Sequence, residues 1–253
     1  MTSTLEELAE HTEVHLLPRP TFDTVERGGV VYLGGLNGAN VHPYRVDDVP
    51  AAVDWCRAES RRRGHSDVEW WVGWRTEPRD LADRLIELGL VRSDDPPSLT
   101  GMTCSGEPPA APEIDVQRID SRADYMEAVQ VDWNVWQLDE EERARRRVID
   151  HDRYEQIAAA GTVHHFSAFL DGRRVGFGRA IDMDAGVALF GGAVLPEARR
   201  RGVYRALVHA RWEHAAARGT PLLVVQAGPM SAPVLDGLGF RRHGIVGLYC
   251  DRL

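Results

Sequence analysis

Between Ser105 and Pro112 the chain reads Ser-Gly-Glu-Pro-Pro-Ala-Ala-Pro, three prolines and a glycine in eight residues. Proline lacks a backbone donor and has a fixed φ, so neither a helix nor an interior strand can run through this stretch. It predicts a linker over 106–112 that separates a first domain, 1–105, from a second, 113–253.

Composition narrows the partners. The chain is 43% hydrophobic and 27% charged, with a net charge of -9, as in a soluble globular protein. An acidic balance argues against nucleic acid or an anionic membrane as the partner. No apolar run approaches the ~18 residues of a membrane span. The opening segment is acidic and amphipathic rather than basic then apolar, which is not the pattern of a signal peptide. Cys56, Cys104 and Cys250 stand far apart without a CxxC pair, so neither a disulfide scaffold nor a cysteine zinc site is expected, and a reducing cytoplasm is. His164 and His165 are the only adjacent histidines and would face opposite sides of a strand, so no metal is expected. All 30 basic residues are arginine. A Schiff-base lysine, a lysine base and a P-loop lysine are therefore excluded, and any phosphate must be held by guanidinium forks and backbone amides.

The second half resolves into elements. Glu113–Ile119 alternates like a strand, and Asp120-Ser121 can cap a helix through Tyr125, Val129 and Trp133. Asp139–Ala160 is a charged helix or helix pair ended by Gly161. Val163–Leu170 and Arg174–Asp182 are strands joined by Asp171-Gly172, a hairpin signal. Val187–Val194 is a third strand, Val203–Arg218 a helix, Leu222–Val225 a short buried strand, Ser231–Leu238 a short helix and Phe240–Cys250 the last strand. The first half echoes this order more faintly. Strands are expected at Val30–Leu33, Val41–Val46 and Glu69–Val72, with helices from Asp48 to Arg63 and from Thr76 to Leu88. Leu88-Gly89-Leu90 parallels Leu238-Gly239-Phe240, which suggests a duplicated unit.

The informative segment is Val194-Leu195-Pro196-Glu197-Ala198-Arg199-Arg200-Arg201-Gly202-Val203-Tyr204. A strand enters a loop of three arginines and a glycine, and the loop opens a helix. The first amides of that helix have no intrahelical partner, and with the helix dipole they form an anion site. Arginines add bidentate phosphate contacts, and glycine lets the backbone come close. The segment reads as a pyrophosphate cradle or as a solvated arginine cluster. The first half has no counterpart: Asp47-Asp48-Val49-Pro50 would repel a phosphate and lacks an amide at Pro50.

These residues resemble the GNAT superfamily of acyl-CoA-dependent N-acyltransferases. Its signature, V-x-P-[DE] then [QR]-x-x-G-x-[GA], is matched by Val194, Pro196, Glu197, Arg199 and Gly202, while Tyr204 stands where glycine or alanine is usual. A second signature, a short helix closing on L-G-F, is matched by Leu238-Gly239-Phe240. The resemblance implies an α/β fold of two GNAT-like domains, each a mixed, mostly antiparallel sheet flanked by helices. It also implies a V-shaped splay between two parallel strands of the second domain, the first domain being a degenerate copy that walls the acceptor site or packs against the second.

The resemblance further implies acetyl-CoA or coenzyme A as co-substrate and no metal. Ala193, Val194 and Leu195 would meet the pantetheine arm, and Arg199, Arg200, Arg201, Gly202, Val203 and Tyr204 the pyrophosphate. Gly191-Gly192 would permit a bulge that aims an amide at the thioester oxygen, or would serve close packing alone. The reaction implied is transfer of an acetyl or short acyl group to a primary amine of a small molecule or peptide, by a monomer or homodimer. Many members protonate the leaving thiolate with a tyrosine, whose position here is Leu235. Substitute acids are Ser231, otherwise a helix cap, Tyr204, or water. Candidate bases are Asp182, Asp184, His165 and Glu155. Trp133 and Trp136 would line the acceptor site or belong to the core. The alternative function is a non-catalytic acyl-CoA sensor or assembly subunit.

Overall fold

The computed structural model describes residues 3–18, 22–35 and 38–253, so Met1 and Thr2 of the opening acidic segment lie outside the described residues. Seven helices and twelve strands occupy those residues. In the first half these are α1 (Leu5–Glu10), β1 (Asp23–Arg27), β2 (Val30–Gly34), β3 (Ala39–Pro43), α2 (Val49–Arg63), β4 (Asp67–Val72), α3 (Leu81–Glu87), β5 (Val91–Arg92) and β6 (Ser98–Cys104). In the second they are β7 (Asp115–Arg118), α4 (Arg122–Val135), α5 (Glu140–Ala160), β8 (Val163–Leu170), β9 (Arg173–Asp182), β10 (Val187–Val194), α6 (Val203–Ala217), β11 (Leu223–Ala227), α7 (Ala232–Asp236) and β12 (Arg241–Arg252).

Local chemistry sets these boundaries. Asp48, Ser121 and Asp139 accept hydrogen bonds from Ala51, Asp124 and Glu142 backbone N–H groups and so start α2, α4 and α5. Gly64 and Gly161 close α2 and α5 in the left-handed region. Asp171 and Gly172, both at positive φ, form the two-residue turn between β8 and β9. A Thr76–Leu88 helix is expected from sequence; α3 begins only at Leu81, because Glu77-Pro78 intervenes and the Glu77 N–H and carbonyl bond to Tyr44 and Val46 instead. β1 is missing from the sequence reading. Its five residues DTVER are largely exposed, so no buried face imposes an alternation.

The strands form one sheet in the order β1-β2-β3-β4-β12-β6-β11-β10-β9-β8-β7, with β5 on β12. The two halves exchange their final strands. β6 pairs with β11 of the second half, and β12 crosses to pair with β4 of the first. The two exchanged strands pair with each other at the centre. About that centre the order is mirrored: β3 and β4 are a parallel pair in the first half, as β10 and β11 are in the second.

Four apolar clusters fill the two faces. Trp70, Val68 and Tyr249 pack with α2 and α3, and Leu223, Val225, Leu189 and Met102 pack with α6 and α7. On the opposite face Phe177 and Ala193 pack with α4, and Leu8 of α1 meets Ala188 and Val224. Trp70 and Trp71 face opposite sides, as strand alternation requires, Trp71 lying against His42. The segment from α1 to Leu17 straps both halves. Glu10 accepts a bond from the Arg75 N–H at 2.6 Å in the first half, and its carbonyl accepts Nε2 of Gln226 at 2.7 Å in the second. Gly73 is required here, since a Cβ would lie 2.1 Å from the Glu10 carboxylate. Burial pushes the Glu10 carboxyl up, and the Arg75 N–H only partly opposes it.

Candidate functional site

β10 and β11 stay together for two residue pairs, Val187 with Leu223 and Ala188 with Val224, and then part. Beyond Ala188, β10 remains paired with β9 on one side and β11 with β6 on the other. The gap between them is the V-shaped splay. Its wall is bent by a register shift between Phe190 and Gly192, with Gly191 at φ +53. An extra residue at that point re-aims the backbone toward the gap.

The register decides which amides face the gap. The Leu195 N–H donates to the Val175 carbonyl on β9 at 2.9 Å. Antiparallel alternation then commits Ala193 to β9 as well and turns the backbone groups of Val194 and Gly192 into the splay. Of the three residues expected to meet the pantetheine arm, Val194 is the one whose amide is so placed. Its carbonyl accepts Nε of Arg199 at 3.3 Å.

The loop beyond Val194 has two left-handed residues, Arg200 at φ +62 and Gly202 at φ +85. Alternating helical hands bring successive N–H groups to one concavity, a nest that favours anions. Gly202 makes no side-chain cap, so the first amides of α6 are open, in contrast to α2, whose N-terminus is closed by Asp48. Arg199 and Arg200 are exposed and have no carboxylate within ion-pair distance among the described residues, whereas Arg201 reaches Asp171 at 3.5 Å. Val203 is buried in the core and offers only its amide. A pyrophosphate fits this donor set: open amides, a left-handed glycine and two guanidinium groups without a carboxylate partner among the described residues.

Tyr204 follows at the second residue of α6. Its ring lies over the strand glycine Gly192 and its hydroxyl is beside Arg211. Burial pushes the phenol up despite the neighbouring guanidinium. Arg211 is itself 1% exposed, donating Nε to Leu207 at 2.8 Å and Nη1 to the Arg179 carbonyl at 3.3 Å. Ser231 does not cap α7; its hydroxyl donates to the Gly228 carbonyl at 3.2 Å. Leu235 is fully buried in the core beneath α6 and α7.

The tryptophans separate. Trp133 is buried with Phe177 and Ala193, and Trp136 is 65% exposed with Nε1 on Asp132 at 3.1 Å. Of the candidate bases, Glu155 is exposed and pairs with Arg122, and Asp184 is exposed. Asp182 is buried and accepts Nε2 of His164 at 3.0 Å and Nε2 of His214 at 2.9 Å, with Arg218 Nε at 3.3 Å. Burial raises its carboxyl, but the two imidazole bonds and the Arg218 charge outweigh that and hold it well below the usual carboxylate range. His164, Asp182 and His214 are also the only grouping of metal-ligand type whose donor atoms converge among the described residues, all within 4.8 Å. Arg218 occupies part of that carboxylate. His165 faces the other side of the sheet, between Tyr125 and Phe177, with Nε2 unpartnered. Burial drives its pKa far below the ordinary histidine value.

On that same face, cross-strand pairing sets His165 opposite Arg179 and Arg179 opposite Phe190. The row ends beside the Gly191 bulge. A cleft of about 150 Å³ opens over it, walled by α5 through Arg153 and Ile157 and by Glu13 from the first half. A second cleft of about 350 Å³ shares Arg153 and Phe22 and runs over Asn40, Glu69 and Cys250. Arg153 and Arg179 escape sequence reasoning, because one lies on a charged helix and the other in a strand without a motif. Only the packing of α5 over the sheet beside β9 brings them together.

Residues 125–235 match the family described as Acetyltransferase (GNAT) family. The match covers less than half of the chain and lies within its second half; over its whole length the chain shares the fold of the following solved structures. A GCN5-related N-acetyltransferase from Kribbella flavida is similar over 99% of this chain and 96% of its own, with TM-score 0.68 and 14% identity. A functionally unknown conserved protein from Staphylococcus epidermidis covers 91% of this chain and 94% of its own, with TM-score 0.65 and 10% identity. A tandem GNAT protein from the clavulanic acid biosynthesis pathway covers 99% and 88%, with TM-score 0.62 and 14% identity. No curated protein matches the sequence. Among the described residues, no helix is long and apolar enough to cross a membrane.

Proposed function

We propose that the second half, 113–253, is an N-acyltransferase domain that moves an acetyl or short acyl group from coenzyme A to a primary amine of a small molecule or peptide. The single observation that carries this reading is the junction of splay and nest. The edge of β10 that β11 leaves bare runs directly into the open amides of α6. Val194 and Gly192 hold the pantetheine arm, and the amides of Arg200–Tyr204 with the Arg199 and Arg200 guanidinium groups hold the pyrophosphate. The bulge at Gly191 supplies an amide toward the thioester oxygen, where charge develops during attack. The amine attacks directly in a ternary complex, without an acyl-enzyme. The first half, 1–105, has a capped α2 and no nest; it completes the sheet and walls the acceptor clefts.

Acetyl-CoA and coenzyme A are expected to raise the melting temperature through binding linkage, and an amine panel with thiol detection is expected to show release above hydrolysis. Failure of both at millimolar ligand would refute the reading. A non-catalytic acyl-CoA sensor is the second reading, favoured by one observation: the usual acid position is the buried Leu235. It predicts stabilisation by acetyl-CoA with no thiol release from any amine.

A further inference from the structure

Arg179 makes no hydrogen bond through its side chain and has no carboxylate within ion-pair distance among the described residues, although its Nε is buried. A buried N–H without an acceptor is costly unless a ligand supplies one, and here that donor is Nε of a half-buried guanidinium. Its neighbour in the cleft, Arg153, is little better served. Its one carboxylate contact, Nη1 to Asp150 Oδ1, is 3.9 Å long, beyond a charge-assisted hydrogen bond.

Nearby carboxylates are engaged elsewhere. Asp132 accepts the Trp136 indole at 3.1 Å, Asp150 accepts the Tyr125 hydroxyl at 3.5 Å, and Glu13 accepts Asn40 Nδ2 at 2.6 Å. Two positive groups are thus held close at the mouth of a 150 Å³ cleft, with forks that no protein oxygen fills. The Arg153 charge is disfavoured by burial first and then by Arg179.

We infer that Arg179 and Arg153 form an oxyanion subsite, and that the acceptor is a small amine carrying a carboxylate or phosphate close to its reacting nitrogen. The inference rests on the acyl-transfer reading above and deepens it. Arg179 lies directly across the ladder from Phe190, the residue before the bulge at which the thioester is expected. An anion gripped there leaves only a short span to the acyl carbon, which suits an amino acid or an aminoalkyl phosphate. It disfavours a polycation, whose nearest ammonium would face two guanidinium groups. Arg179 acts on the anion and does not touch the reacting atoms, so it is a specificity-determining residue.

The test pairs acceptors that differ only in the anion: glycine against glycinamide, β-alanine against ethanolamine, and phosphoethanolamine against ethanolamine, with spermidine as the polycation. The full chain is assayed with acetyl-CoA by thiol release, and separately each amine is assayed by thermal shift with coenzyme A present and absent. At least one anionic member is expected to exceed its neutral partner by tenfold or more in kcat/KM, and to stabilise the protein where the partner does not. The arm that responds separates carboxylate from phosphate. Arg179→Gln is expected to erase the ratio chiefly through KM, and Arg179→Lys to restore part of it.

Equal or better use of neutral amines or spermidine, or a ratio unchanged in Arg179→Gln, would overturn the subsite while leaving acyl transfer intact. If coenzyme A fails to bind, the acyl-transfer reading falls on that measurement, and the subsite is still judged by thermal shift with the amines alone. No stabilisation by any anionic member there overturns it.

Discussion

A Cβ placed on Gly192 would lie 2.6 Å from Cε2 of Tyr204, so the ring in the first turn of α6 occupies the space above this strand glycine. The two positions are coupled. Where the family has glycine or alanine in the helix, this chain has tyrosine, and the strand beneath has given up its side chain to receive it. Gly192→Ala is expected to destabilise the protein by about 1–3 kcal/mol through overpacking and to weaken coenzyme binding by shifting the N-terminus of α6. Tyr204→Ala in the same chain is expected to relieve most of that loss. A double-mutant cycle in denaturant reads the coupling, and strict additivity would show that the ring is free to move away.

The nest sets Arg199 and Arg200 apart from the arginines of the exposed α5. Arg199→Ala and Arg200→Ala are each expected to weaken coenzyme A binding about tenfold or more, the scale of a charged hydrogen bond, with unchanged melting temperature in its absence. Gly202→Glu is expected to abolish binding, since φ is +85 and the new side chain would crowd the Glu113 carboxylate. Arg146→Ala, whose guanidinium pairs with Glu142 on the exposed α5, is the matched control and is expected to bind normally. Titration calorimetry at two salt concentrations distinguishes these outcomes.

Stability is expected to fall as pH drops below about 6.5, the ordinary histidine value. His11 is buried, stacked on Tyr44 at 3.9 Å, and burial together with the charges of His42 and His15 lowers its pKa to about 2. His165 is lowered in the same direction by burial and by Arg179. A folded-state pKa below the unfolded one means that the unfolded chain binds more protons between the two values. The neutral-histidine contribution is therefore complete above pH 6.5 and erodes below it, by about 1.4 kcal/mol per histidine at pH 5.5. His11→Phe is expected to flatten the slope of unfolding free energy between pH 7 and pH 5; an unchanged slope would mean that His11 is protonated without cost.

Asp182 ties the C-terminal end of α6 to β8, since His214 and Arg218 come from the helix end and His164 from the strand. Asp182→Asn is expected to cost about 3 kcal/mol or more, because it leaves a buried cluster without its anion. The wild-type carboxyl is held low, so its contribution is present above about pH 4, the unfolded value, and fades only as pH falls further. Chemical denaturation at pH 7 and at pH 3 is expected to show the variant's deficit shrinking at the lower pH.

Much of the second half is legible in its sequence because its signals are local. Asp139 and Gly161 bound α5, Asp171-Gly172 fixes the hairpin, and Arg199 to Tyr204 announce the nest. What is hidden is non-local. Nothing near Ser98–Cys104 says that this strand will lie beside Leu223–Ala227, and nothing near Arg179 says that Arg153 will come to face it. Trp133 and Trp136 illustrate the same limit: one in the last turn of α4 and the other at its C-cap, they end in the core and in solvent, because only one of them meets Phe177. Leu235 matches its motif by position alone, and burial decides its character.

The exchanged strands also set an order of events in time. β6 is synthesised with the first half, yet both of its neighbours, β11 and β12, belong to the second. On the ribosome it must wait with both edges open, and β4 waits for β12 to be made. Unpaired edges invite other chains, so the nascent first half is the aggregation-prone stage of this protein's life. A premature stop after Phe240 would keep every residue of the nest and yet strip both β4 and β6 of a neighbour.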